Sequence, residues 1–234
     1  AVADKPVYLK RVRRTRLPLQ YSALEIARTE SRKDLADIDR KLTLFEQRVR
    51  EFRVPTLNER SNSPVDYCEL YRKRYMPPAQ ESKASVRFLS EPSGKYKEMA
   101  AALTDGLFGG STFVESWVGW EGKDGAFIID LGDKKPVSSV ETDFLHQIGA
   151  WILCPLKVVY SYSEDGQKYT LWEVHDLPEE RSGKVKFTGV RSECPRPVSM
   201  RYIKVEITGT KECPAWHYGV GHPSWFFVDE VTVL

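Results

Sequence analysis

Long apolar runs are missing from these 234 residues, and no stretch approaches the roughly 18 residues that a membrane-crossing helix needs. No membrane span is therefore expected. The first ten residues, AVADKPVYLK, lack a charged region followed by an apolar core. The sequence is thus expected to be a mature chain or an excised fragment, which leaves a secreted origin open. Histidine is scarce: four residues occur without HExxH spacing, which gives no zincin. Neither a GxSxG elbow nor a phosphate-binding glycine loop is found. The four cysteines, Cys68, Cys154, Cys194 and Cys213, form no CxxC pair, which argues against structural zinc. Cys194 and Cys213 both precede proline in loop-like sequence and are the best pair for one disulfide. Four buried free thiols are the competing expectation.

What remains is ordinary for a soluble globular protein, with 41% hydrophobic and 29% charged residues. The length suits one large domain or two smaller ones. The net charge of +2 hides an asymmetry. Residues 1–76 carry 18 Lys/Arg against 11 Asp/Glu, leaving 17 against 22 in the remainder, where all six Trp also lie. Two domains follow from that contrast. Acids are interleaved through the basic half, so no nucleic-acid partner is expected. RVRRTR (11–16) is read as a solvated or partner-facing helix surface rather than a phosphate site.

Periodicity separates the same two halves. In SRKDLADIDRKLTLFEQRVREFRV, Ser31 is a plausible N-cap. Leu35, Ile38, Leu42, Phe45, Val49 and Phe52 then recur at steps of three and four as one apolar stripe, and Pro55 ends the helix. An earlier helix runs from Pro6 towards Ala27, with Pro18 expected to kink or split it. A third starts at Ser63-Pro64 and presents Tyr67, Leu70, Tyr71 and Tyr75. Residues 1–76 are thus a small helical bundle whose outer stripe needs a neighbour. A linker is assigned to 77–89, starting in MPPAQESKAS. Beyond it the period becomes two. GAFIIDLG, PVSSVETDFL, LKVVYSYSEDGQKYTLWEV, GKVKFTGV, MRYIKVEITG and WFFVDEVTVL are short β-rich runs separated by turn residues, the spacing of an antiparallel β-sandwich over 90–234. The fold class is α+β in two domains. SEDG (163–166) marks a hairpin turn.

Within the second domain the landmarks come in a specific order: ALTDG (102–106), Trp117 and Trp120, IIDLG (128–132), VSSVETDFL, VVYSYSEDGQKY, RYIKVEI and FVDEVTV. This order resembles the F5/8 type C (discoidin-like) domains, and among them the family-32 carbohydrate-binding modules, over about 90–234. The resemblance implies a jelly-roll sandwich with a galactose-binding-like fold, often attached to bacterial glycoside hydrolases. RVRRTRLPLQYSALEIAR, FRVPTLNER and YCELYRKRY resemble the helical tail of the domain-of-unknown-function family 4838, whose members are glycosidase-like. That likeness implies a C-terminal piece of a larger bacterial protein, periplasmic, cell-surface or secreted, whose catalytic barrel would precede it.

The resemblance also implies a structural Ca²⁺, with Asp105 and Glu230 at the matching positions and carbonyls of 102–112 completing the shell. The competing reading makes Asp105 a turn cap and Glu230 a solvated strand residue. For glycan, a sugar needs an aromatic face beside planar polar groups. Trp151, Trp216, Tyr218 and Trp225 are candidate platforms, and Glu115, His146, Gln147, Arg191 and His217 candidate polar partners. Trp216, His217 and Tyr218 stand out because Gly and Pro flank them in CPAWHYGVGHPSW (213–225). For Trp151, Trp225 and His146 burial competes with ligand contact, and Trp117 is assigned to the core. Glu115, Glu121 and Asp124 are near one another in sequence, but nothing fixes them as the carboxylate pair that glycoside hydrolysis requires. The expected function is therefore non-catalytic glycan binding that targets an attached hydrolase. The alternative is a structural module that packs on a catalytic domain and borders its active site.

Overall fold

The computed structural model describes residues 5–28, 34–57, 63–76, 84–114 and 116–234. Its helices and strands divide into two units, Ala1–Ala79 and Gln80–Leu234. In the first unit the expected single helix is two, α1 (Pro6–Thr15) and α2 (Leu17–Arg28), separated at Arg16. Pro18 is the second residue of α2, where a missing backbone N–H breaks no helical bond. α3 spans Leu35–Glu51 and is capped by Asp34, whose carboxylate accepts from the N–H of Asp37. Ser31, expected as that cap, lies outside the described residues. α4 (Pro64–Arg74) starts on Ser63, whose hydroxyl accepts from the N–H of Asp66. The predicted stripe is buried at Ile38, Leu42, Phe45 and Val49. Tyr71 closes this core by donating to the carbonyl of Leu24 at 2.8 Å. α1 buries none of its residues.

The second unit is an antiparallel sandwich of seven strands. These are β1 (Ser85–Ser90), β2 (Val118–Glu121), β3 (Gly125–His146), β4 (Lys157–Ser163), β5 (Thr170–Asp176), β6 (Lys186–Thr208) and β7 (Trp225–Val233). β1 overlaps the segment assigned to the linker and ends one residue beyond it. It pairs with the first half of β3. That half also pairs with the second half of β6, which is joined in turn to β4 and β5. The second half of β3 pairs with β7, and β7 carries β2.

Two long bent strands thus serve both layers, where four short strands were expected. Gly132 lies in the irregularity between Asp130 and Lys135, and Pro136 continues the strand opposite Ser199, so neither is at a strand end. Pro195 and Pro197 lie in the stretch of β6 between Glu193 and Val198 that has no partner on β3, where a missing N–H leaves no ladder bond unmade. Trp117 and Trp120 are fully buried, as are Phe127, Phe144 and Tyr160. Trp120 stacks on Phe226 at 5.3 Å, and its Nε1–H donates to the carbonyl of Ser90.

All four cysteines are free, so the Cys194–Cys213 disulfide is not formed. Burial pushes the Cys154, Cys194 and Cys213 thiols up, which holds them in the protonated form. Among the described residues no helix is long and apolar enough to cross a membrane.

Candidate functional site

Two turns meet where β3 ends and β7 begins. His146 ends β3, and the chain reverses so tightly that Gln147 and Ile152 exchange backbone hydrogen bonds. Trp151 closes this reversal in the left-handed region at φ 62°. Its carbonyl accepts from the N–H of Trp225, and the carbonyl of Trp225 accepts from that of Leu153. The 213–225 loop is locked by further backbone bonds, Cys213 to His222 and Gly221 to Cys213. Gly219 lies flat on the Trp151 indole, since a Cβ there would come within 3.0 Å of Cε2. Any larger residue would have to push the indole back by a few tenths of an ångström.

These contacts sort the predicted residues. Tyr218 is 68% exposed. One ring face stacks on His217 at 4.5 Å, while its hydroxyl accepts from Nε1–H of Trp151 and donates to the carbonyl of Gly149. Trp151 is half-buried and also meets the exposed His222 ring at 5.4 Å. Trp216 is half-buried, its Nε1–H bound by Glu179 and its ring beneath the Arg181 guanidinium at 5.4 Å. Tyr218 and His222 thus meet the Trp151 ring, and Trp216 is linked to them through the His217 ring at 5.7 Å, giving one aromatic ridge.

His217 does not belong to its surface. It is 3% exposed, and Nδ1 accepts from the N–H of Gly219, so Nε2–H donates to the carbonyl of Ile148. The ring cross-links the two turns. His146 is fully buried and donates through Nε2 to the carbonyl of Ser182, with burial lowering its pKa. It braces the segment between β5 and β6 from inside the sandwich, with Nδ1 buried and without a hydrogen-bond partner among the described residues. Arg191 is on β6 opposite Glu141, paired with Glu193 and Glu141 at 2.6 and 3.3 Å. Glu141 precedes the end of β3 by five residues, roughly 16 Å of strand, which removes Arg191 from the ridge. Trp225 stacks on Phe227 and meets Tyr96 edge-on, at the rim of the core. Glu115 lies outside the described residues. Glu179 and Arg181 were not singled out in the sequence. The one signal for them, EER in an otherwise turn-like stretch, is common.

The second predicted constellation is on β7. Glu230 is buried and accepts from the N–H of Gly106, while Asp229, also buried, accepts from that of Gly109. The Asp105 carboxylate folds back onto the N–H of Leu107. Burial pushes the Glu230 carboxyl up to about 8, and the negative charges of Asp105 and Asp229 add to that rise. Partial desolvation raises Asp105 as well, on a residue that is itself exposed. The solvated strand residue expected at Glu230 is thus not observed. Closely placed, desolvated carboxylates are the donor chemistry of a hard cation. Among the described residues no group of three or more His, Cys, Asp or Glu is arranged around a common metal position. Further oxygens for such an ion would have to be loop carbonyls.

The profile of the F5/8 type C domain matches residues 85–225, more than half of the chain. Among solved structures, CpGH89CBM32-6 of Clostridium perfringens is 14% identical, with a TM-score of 0.43, covering 67% of this chain and 96% of its own. CpGH89CBM32-5 of the same organism, solved with GalNAc-β-1,3-galactose, is 17% identical with a TM-score of 0.40, covering 64% of this chain and 94% of its own. A chitosan-binding module of a Paenibacillus chitosanase/glucanase is 15% identical with a TM-score of 0.40, covering 67% and 96%. No curated protein matches the sequence. With the ordered strand landmarks, the bent-strand sandwich and the profile in agreement, the chain belongs to the F5/8 type C family.

Proposed function

We propose that the sandwich binds glycan without catalysing its cleavage, through the ridge of Trp216, Tyr218, Trp151 and His222. The observation that carries this reading is the 68% exposure of Tyr218, whose ring is pinned by its hydroxyl and backed by His217. A ring already fixed in place loses little freedom when the apolar face of a sugar stacks on it. Affinity from one module is weak, and its use is to hold an attached enzyme near its polysaccharide, a gain in effective concentration. A preceding glycosidase-like domain and a periplasmic, cell-surface or secreted location belong to the same proposal.

Calcium is proposed as a structural ion between the 104–109 loop and β7, held by Asp105 and Glu230 with loop carbonyls. Bound there, it would supply positive charge beside the buried Glu230 and the exposed Asp105 and pin the loop to the last strand. Asp229 stands beside it.

The second reading, a module packed against a catalytic domain, is favoured by a separate observation. The ring nitrogens of His217, Trp151 and Trp216 and the hydroxyl of Tyr218 are all engaged within the protein. Tryptophan fluorescence titration with mono- and oligosaccharides separates the two. A saturable shift that disappears in Trp216→Ala supports glycan binding. A folded protein that responds to no sugar supports the packing module.

A further inference from the structure

The segment between β5 and β6 supplies the polar side chains that touch Trp216. Glu179 accepts from Nε1–H of Trp216 on Oε1, and its Oε2 accepts from Nε–H and Nη2–H of Arg181. A guanidinium has five N–H donors, and these contacts use two. Both hydrogens of Nη1 and one of Nη2 remain, on a side chain that is 63% exposed. Glu179 is 43% exposed and keeps accepting capacity on Oε1. Elsewhere, Trp151 and the Tyr218 hydroxyl on the ridge, and His217 beneath it, spend their hydrogen bonds on the fold. At the edge of Trp216, by contrast, a charged donor and a charged acceptor stand side by side with capacity left over.

We propose that Glu179 and Arg181 are specificity-determining residues of the ridge, reading two adjacent hydroxyls of an uncharged sugar. This rests on the glycan-binding reading above. One hydroxyl accepts from the Arg181 fork and its neighbour donates to Glu179, while the ring between them lies against Trp216. Charge decides between sugar classes. The pair is internally neutral, so a uronic acid brought to Arg181 would place its carboxylate within reach of the Glu179 carboxylate. An uncharged diol uses both partners and meets no repulsion.

Calorimetry on the full chain tests this with a panel of neutral methyl glycosides and the uronic acid corresponding to each. The wild type is expected to bind a neutral glycoside at least tenfold more tightly than its uronic acid. Arg181→Ala and Glu179→Ala should each weaken the neutral ligand about tenfold or more, as loss of a hydrogen bond to a charged group does. Glu179→Gln still accepts from Trp216 but loses its charge, so the gap between neutral and acidic sugars should narrow or invert. Unchanged thermal unfolding of these exposed variants separates ligand contact from folding. If the three variants bind as the wild type does while Trp216→Ala does not, the inference is overturned and the glycan site stands. A wild type that prefers the uronic acid also overturns it. If the wild type binds none of the panel, the glycan-binding reading itself fails.

Discussion

Trp120 and Trp151 are the same residue put to opposite uses. Each makes one hydrogen bond from Nε1–H, Trp120 to the carbonyl of Ser90 and Trp151 to the hydroxyl of Tyr218. Trp120 sits on a regular strand, where alternation turns it inward onto the Phe226, Phe127 and Phe88 rings. Trp151 sits in a left-handed turn, held by its backbone and by the flat approach of Gly219, and remains half-exposed. Strand alternation buries a ring by surrounding it. A turn fixes a ring from behind and leaves a face open. The Trp120 region thus holds the fold, while the Trp151 region presents a surface.

That contrast can be broken by experiment. The largest effect is expected from Trp120→Ala, which should cost about 3–5 kcal/mol of stability, read by chemical unfolding of the sandwich. If Trp120→Ala left stability unchanged, the division between core and presenting rings would collapse. Next comes calcium. At a free concentration a hundred times its dissociation constant it should add about 2.7 kcal/mol. The gain should vanish with EDTA and in Glu230→Gln, and a thermal shift indifferent to calcium would remove the ion from the account. Tyr218→Ala sharpens the comparison from the other side. Stability should fall by about 1 kcal/mol, the loss of its exposed hydrogen bonds to Trp151 and Gly149. Sugar affinity should fall roughly tenfold, since aromatic contacts beyond area burial are worth about 0.5–1.5 kcal/mol.

The smallest effect concerns pH. Burial lowers the pKa of His146 below its unfolded value of 6.5, while the hydrogen bond to Ser182 and the charge of Glu180 act in the other direction. The unfolded chain therefore takes up a proton first as pH falls, so this residue is neutral in effect well above 6.5. Below that its contribution erodes stability down to the folded pKa, by at most about 1.4 kcal/mol per pH unit. His146→Gln should flatten the slope on the acid side of 6.5. An unchanged slope would show that the buried ring does not set the acid sensitivity of this end of the sandwich.

Much of the architecture was legible beforehand, because periodicity is a local property. The 3.6-residue stripe from Leu35 to Val49 and the period of two beyond residue 90 needed no knowledge of distant contacts. The joining of strand pairs into β3 and β6 was not legible. Gly132, Pro195 and Pro197 are turn residues by type, and only the missing partners at an irregularity make them compatible with a continuing strand. At the site, Gly and Pro around Trp216 and Tyr218 correctly marked a loop. His217 looked identical in kind to its neighbours, yet its two nitrogens close on Ile148 and Gly219, contacts that sequence spacing does not encode. Glu179 and Arg181, 37 and 35 positions before Trp216, could be recognised only once β5 and β6 had carried them to the same end of the sandwich.

The sequence by itself determined that this protein has a basic helical half and an aromatic β half, and where most of its strand-forming runs lie. Charge composition and side-chain period act over a few residues and survive without a fold. Tertiary structure alone decided which aromatic rings face solvent, which histidines are framework, and that buried acidic groups of β7 come to lie against the 104–109 loop. Those outcomes depend on partners more than 30 residues away in sequence, and burial and hydrogen-bond satisfaction are properties of the assembled neighbourhood rather than of the residue.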